Sequence, residues 1–189
     1  MPPAIQVGEF MEVIKDHVLV EQILEAWRSQ IGAAYEGYRG HVYRVLNCCL
    51  ALRDCSDDET RKLAIAAAFH DLGLWSDHTV DYLPPSEDRA RKWLVANGFA
   101  AWQDEIGLII RQHHRIRPVR ESEQALVEVF RRADLIDFSL GLIRFGVSAR
   151  FVSRLKSEIP NRGFHRFLVR TATSWILRHP LRPLPFLKW

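Results

Sequence analysis

Apolar residues recur at helical spacing along almost the whole chain, and no alternation of period two marks a strand. Val13, Ile14, Val18, Ile23, Leu24 and Trp27 predict a first helix ending near Gly32. A second is expected over residues 40–55, with His41, Val45, Cys48 and Leu52 at i, i+4, i+7 and i+11. Ser56-Asp57-Asp58-Glu59 has the form of a capping box, with Ser56 as the cap and Glu59 three residues on. The helix it opens, residues 60–72, carries Ala64, Ala66, Ala67 and Ala68, small enough to admit close neighbours. Gly73 is expected to end it, and residues 74–85 to form a loop. Ser86 is expected to cap a helix that stops at Asn97-Gly98, and another helix follows over 102–115. Ser122 opens a longer helix through Asp134 to about residue 145. A segment over 148–159 leads to the turn Pro160-Asn161-Arg162-Gly163, and a last helix carries Phe164, Phe167, Leu168, Thr171 and Trp175 on one stripe. Pro180, Pro183 and Pro185 predict an extended tail.

The pattern predicts an all-α fold, a compact single-domain helical bundle over residues 1–189. With 48% hydrophobic and 26% charged residues, the chain has the composition of a globular domain that needs no staples. Three cysteines, two of them the neighbours Cys48 and Cys49, exclude a disulfide scaffold and predict reduced core thiols. No stretch reaches the roughly 20 apolar residues of a membrane span, and the first ten residues lack the basic start and apolar run of a signal peptide. A cytoplasmic protein with no membrane partner is the expectation. Charge is unevenly placed: residues 1–138 balance at −6, and residues 139–189, with Glu158 as their one acid, at +9. The basic third is expected to neutralise the acidic remainder. Nucleic acid is not favoured as a partner, and a homo-oligomer is left open.

Four polar residues sit where a purely structural bundle would avoid them. His70 and Asp71 are adjacent, so about 100° apart on a helix, and converge only on something at the helix end. Imidazole and carboxylate are both metal ligands, which makes a divalent cation the economical candidate. His41 heads an apolar stripe, and Asp134 follows Val127 and Phe130 at helical spacing, so both face inward. An inward carboxylate costs several kcal/mol unless paired; a metal removes that cost.

His41, 28 intervening residues, His70-Asp71, 62 more, then Asp134 is an ordered set that resembles the HD-domain superfamily of metal-dependent phosphohydrolases. Ala-Phe-His-Asp-Leu-Gly and Arg-Arg-Ala-Asp surround its later members. The resemblance covers residues 35–145 as an HD-like core, with 146–189 as a basic helical extension. It implies a bundle of the HD-domain type, with His41, His70, Asp71 and Asp134 as ligands of a divalent transition metal (Mn, Fe, Co, Ni or Zn). The implied activity is hydrolysis of a nucleotide or related small phosphate ester by a metal-activated water. Some relatives hold two metals bridged by the aspartate of the HD pair. His78 and His113 are the candidate donors for a second ion here, and one metal is favoured over two, because no histidine lies in residues 90–100.

Around this set, Tyr35 to Gly40 reads as a turn that presents Tyr38 or Arg39 to a substrate. Arg44, at i+3 from His41, and Arg131, at i−3 from Asp134, are candidate phosphate clamps. Asp137 is expected to orient a ligand. Ile106, Ile109, Ile110 and His113 share an inward face, whereas His114 points to the side. His113, His114 and Arg117 are then expected to contact substrate phosphate. Nucleotidase-like relatives place an acid one turn beyond the HD pair, where this chain has Leu74. Asp77 is the nearest substitute, and with Asp71 it forms the expected catalytic set. The alternatives are an HD-type diiron oxygenase and a regulatory module that binds nucleotide without turnover.

Overall fold

The computed structural model describes residues 11–118, 125–181 and 185–186, and among them every regular element is a helix. In chain order these are α1 (Val18–Ala26), α2 (Arg28–Ile31), α3 (Tyr35–Leu52), α4 (Asp57–Phe69), α5 (Gly73–Ser76), α6 (Leu83–Ala96), α7 (Gln103–Gln112), α8 (Ala125–Phe138), α9 (Ala149–Glu158) and α10 (Phe164–Arg178). Short 3-10 turns at Gly32–Ala34 and Ala100–Trp102 lead into α3 and α7. No helix among the described residues is long and apolar enough to cross a membrane.

α3 is the axis of the bundle. It is buried on nearly every side, from Tyr35 to Ala51, and it packs most extensively on α8 and then on α4. The alanines of α4, all buried, allow α1, α3 and α7 to lie against it. The predicted capping box is formed in full: the Glu59 amide donates to Ser56 Oγ, and the Ser56 amide donates to the Glu59 carboxylate. Cys48 and Cys49 are buried free thiols and Cys55 is half-buried.

The first helix starts at Val18 and breaks at Trp27, α3 ends at Leu52 and α7 at Gln112, all short of the expected bounds; four further boundaries differ, each for a local reason. Tyr35 to Gly40 is the first part of α3 rather than a turn. Its Gly40 instead makes room for a crossing chain, since a Cβ there would lie 3.2 Å from the Pro160 carbonyl oxygen. α6 begins at Leu83, because Pro84 and Pro85 suit the first helical turn, where no amide is needed. Ser86 therefore falls inside the helix, and its buried hydroxyl accepts from the Gly73 amide at 2.9 Å instead of capping. α4 stops at Phe69, before Gly73, which opens the short helix α5. α8 stops at Phe138, well short of residue 145. There Leu140 takes a left-handed φ of +55°, Gly141 N–H donates to the Ile136 carbonyl, and Leu140 N–H to that of Asp137, a Schellman stop. Ser122 and most of the Pro-rich tail lie outside the described residues.

The turn between α4 and α5 is tightly enclosed. A Cβ at Gly73 would meet the Tyr82 carbonyl oxygen at 2.4 Å and Pro85 Cγ at 2.9 Å. Gly73→Ala is expected to cost about 1–3 kcal/mol through overpacking, seen as a lower Tm, with roughly 2–4 °C per kcal/mol for a chain of this size. An unchanged Tm would show that this turn yields to the added methyl.

Candidate metal centre

Helix ends and helix faces together build the centre. α4 terminates at His70, its C-cap, and Asp71 follows in the turn, so the two adjacent side chains converge as their spacing predicted. α7 terminates in the same way at His113, and the chain turns through His114. α3 contributes His41 and α8 contributes Asp134 and Asp137. All of these are buried except His114, whose side chain is 18% exposed.

Three imidazoles are each anchored through Nδ1, with Nε2 turned toward the centre. His70 Nδ1–H donates to the Ala67 carbonyl at 2.8 Å, and His113 Nδ1–H to that of Ile110 at 2.8 Å. His41 Nδ1–H donates to Asp137 Oδ2 at 2.7 Å. These partners assign the tautomer, leaving the Nε2 lone pairs to face the centre. His41 Nε2 and His70 Nε2 stand 2.9 Å apart. His41 Nε2 is 3.4 Å from Asp134 Oδ1 and 3.6 Å from Asp71 Oδ2, and His70 Nε2 is 3.4 Å from Asp71 Oδ2. Donors about 2.1 Å from a transition metal are separated by roughly 3.0 to 3.4 Å at octahedral or tetrahedral angles; His41, His70 and Asp71 form a group close to this spacing, and Asp134 Oδ1 stands beside it, 3.8 Å from His70 Nε2.

A second donor group shares Asp71. Its atoms, with those of His113 and His114, lie within 4.8 Å of one another. Asp71 Oδ1 faces His113 Nε2 at 3.6 Å, too long for a hydrogen bond, and both atoms are buried without a partner. Two buried polar atoms without a partner at one place suit a cation between them. His114 Nδ1 is 4.0 Å from Asp134 Oδ2, and its Nε2 meets the Tyr82 hydroxyl at 2.5 Å. With the proton on Nε2 donated to Tyr82, Nδ1 is free to bind a metal. Asp71 thus turns one oxygen to each group.

Electrostatics agree with the donor geometry. Burial pushes the His70 imidazole down to about 3, so it stays neutral. Burial pushes the Asp134 carboxyl up to about 6. Burial also opposes ionisation of Asp71, but the imidazoles of His70, His113 and His41 outweigh it and hold this carboxyl well below the usual range. For His113 burial is outweighed in turn by the carboxylates of Asp71 and Asp134, which lift it above its ordinary value. Burial and the neighbouring His113 depress His114.

The other sequence-predicted residues fall in different places. Arg44 is buried and bound: Nε and Nη2 donate to the two Asp137 oxygens at 2.5 and 2.9 Å, so it orients the partner of His41 rather than clamping phosphate. Arg131 is likewise held by Glu128, through two bonds of 2.7 Å. Tyr38 is fully buried and donates to the Ala68 carbonyl, which makes it a wall of the centre and not a substrate contact. Arg39 pairs with Glu21. His78 is exposed on a loop, with φ +50°, and lines a groove with Trp75, Phe167 and Arg170 instead of joining the centre. Asp77, also exposed, accepts from Ser76 Oγ and pairs with Arg89. Arg117 is exposed. His114 moves from the expected substrate contact to the second donor group, because the helix ends before it.

Sequence reasoning missed Tyr82, Phe164 and Phe186. Phe164 stacks on His41 at 4.3 Å, and Phe186 lies against Tyr82 and His114 at 5.6 and 4.9 Å. Tyr82 and Phe186 carry no spacing signal, and the stripe that includes Phe164 marks it as apolar without showing that it meets His41. Compared with family models, with curated proteins and with solved structures, the chain matches none of them. What the centre can do follows from its own atoms.

Two measurements probe this geometry. Asp71→Ala removes the shared carboxylate and is expected to abolish both sites, whereas His114→Ala should leave the first. Metal per chain at matched circular dichroism reads the difference, and wild-type stoichiometry in Asp71→Ala would contradict the bridging geometry. The second is pH. The Asp134 carboxyl keeps its proton to about 6 in the folded chain and to about 4 in the unfolded one, so in metal-free protein it costs stability as pH rises through that window. A cation replaces this proton and that of His113, so the rise in Tm on adding metal should grow from about pH 5 to about pH 7. A constant rise would show that neither group gives up a proton to the ion.

Proposed function

We propose that the protein is a metal-dependent phosphohydrolase acting on a nucleotide or related small phosphate ester. The observation that carries this is the pair of donor groups sharing Asp71, together with the resemblance of His41, His70-Asp71 and Asp134 to the HD-domain pattern. Bound there, divalent metal supplies a water of lowered pKa and polarises a phosphoryl oxygen.

The protein's own residues prepare that chemistry. Asp137 holds the His41 Nδ1 proton, and Arg44 holds Asp137, so the Nε2 lone pair keeps its direction. Phe164 and Phe130 cover the rings of His41 and His70 and exclude water from that side. His114, the least buried of the set, marks the side from which substrate approaches. Tyr82 sits there, its phenol kept protonated by burial. When His114 Nε2–H donates to the Tyr82 oxygen, the phenolic proton is left to give to a leaving group. Arg44 and Arg131 are both committed to carboxylates and are not available to a phosphoryl group.

A diiron oxygenase is the alternative, favoured by one observation: the second donor group holds two histidines, His113 and His114, beside the bridging aspartate. Phosphate release from nucleoside mono-, di- and triphosphates, assayed with Mn²⁺, Co²⁺ and Mg²⁺, tests the hydrolase. Metal-dependent release is expected, falling in Asp71→Ala by more than the about 10–100-fold that loss of an outer-sphere partner costs. Turnover that requires both iron and oxygen would select the oxygenase. Tight nucleotide binding without product, across all metals, would select a non-catalytic module.

A further inference from the structure

Exposed apolar side chains are concentrated in one part of the molecule. Of the twelve large hydrophobic residues that are exposed among the described residues, nine lie between Phe138 and Leu181. Five belong to the single stretch that follows α8: Phe138, Leu140, Leu142, Ile143 and Phe145, with Leu142 85% exposed. A second set lies on α10, where Val169 and Leu177, two turns apart, are 66% and 78% exposed. The first turn of α10 reaches the start of this stretch, since the His165 ring, one turn before Val169, lies 6.4 Å from that of Phe138 and its Nε2 bonds the Asp137 carbonyl at 3.0 Å.

This stretch is held in shape rather than left slack. Leu140 occupies the left-handed position of the α8 stop, where glycine is the ordinary residue. Phe145 is also left-handed, at φ +47°. Lys156 Nζ donates to the Leu140 carbonyl at 3.0 Å, and Arg144 to that of Gly141 at 3.2 Å. Cations surround the apolar tips: Arg144 and Lys156 at the loop, and Arg166 and Arg170 one turn apart on α10, all exposed. Over residues 139–189 the one acid is Glu158, already paired with Lys15.

We propose that residues 138–146 and the outward face of α10 dock on an anionic lipid bilayer, lying on its surface without spanning it. Apolar tips within a ring of cations match such an interface: the tips enter the boundary of headgroup and acyl chain, and the cations meet lipid phosphate. A nucleic acid would engage the cations but leave Leu142 and Ile143 without a role, because aliphatic side chains do not stack on bases. A second copy placed face to face would bring two strongly basic surfaces together. The proposal does not depend on the activity of the metal centre.

Co-sedimentation with vesicles tests it. The protein should pellet with phosphatidylcholine–phosphatidylglycerol vesicles and not with phosphatidylcholine alone, and high salt should weaken the binding. Leu142→Ser/Ile143→Ser should reduce binding by about tenfold or more, at unchanged circular dichroism and metal content. Arg166→Glu/Arg170→Glu should do the same. Absence of binding to anionic vesicles, or full binding by the serine variant, would overturn the proposal. So would a dimer in sedimentation velocity that the serine variant abolishes, which would assign the face to a second copy.

Discussion

The carboxylate of Asp137 is the interaction on which the arrangement depends. It lies buried between His41 Nδ1 and the fork of Arg44, and those partners hold it ionised against the cost of burial. Arg44 Nη1 also reaches the carbonyls of Ile159 and Pro160. One cluster of charge-assisted bonds thus joins α3, α8 and the crossing between α9 and α10. A buried pair of this kind adds little net stability, but removing one partner costs about 3–5 kcal/mol because the other charge is stranded. Its contribution is therefore placement: it sets the direction of His41, and through Gly40 it fixes the path that lays Phe164 on the imidazole.

Much of this was legible in the sequence because the signals were local. Helical periodicity gave the all-α class, the Ser56–Glu59 spacing located a cap that is formed in full, and His70-Asp71 announced a convergence at a helix end. His41 and Asp134 could be placed by the apolar residues that share their faces. The errors came from positions where a local signal is ambiguous. Ser86 is a good cap by type, but the two prolines before it start the helix earlier. The glycines of Tyr35–Gly40 suggested a turn, yet in a helix they serve equally to admit another segment of chain.

What the sequence withheld was partnership over long distances. Arg44 and Arg131 share faces with metal donors and suit phosphate, and only the folded chain shows each already occupied by a carboxylate. His114 was judged by continuing to residue 115 a helix that in fact ends at Gln112, so a shift of three residues in the boundary turned a side-pointing group toward Asp134. His78 was attractive for its proximity to Asp71 in sequence, but a left-handed backbone turns that loop outward. Tyr82 and Phe186 lie far from one another in the chain and meet only across the approach to the centre.

Three of the donors, His70, Asp71 and His113, sit at or beyond the last hydrogen-bonded turn of a helix, whereas His41 and Asp134 project from helices packed on each other. The centre is accordingly built at chain reversals on one side and on helix flanks on the other. The reversal between α4 and α5 cannot open locally without exposing Phe69, Leu72 and Gly73, all buried, so any movement of His70 and Asp71 is tied to the core itself.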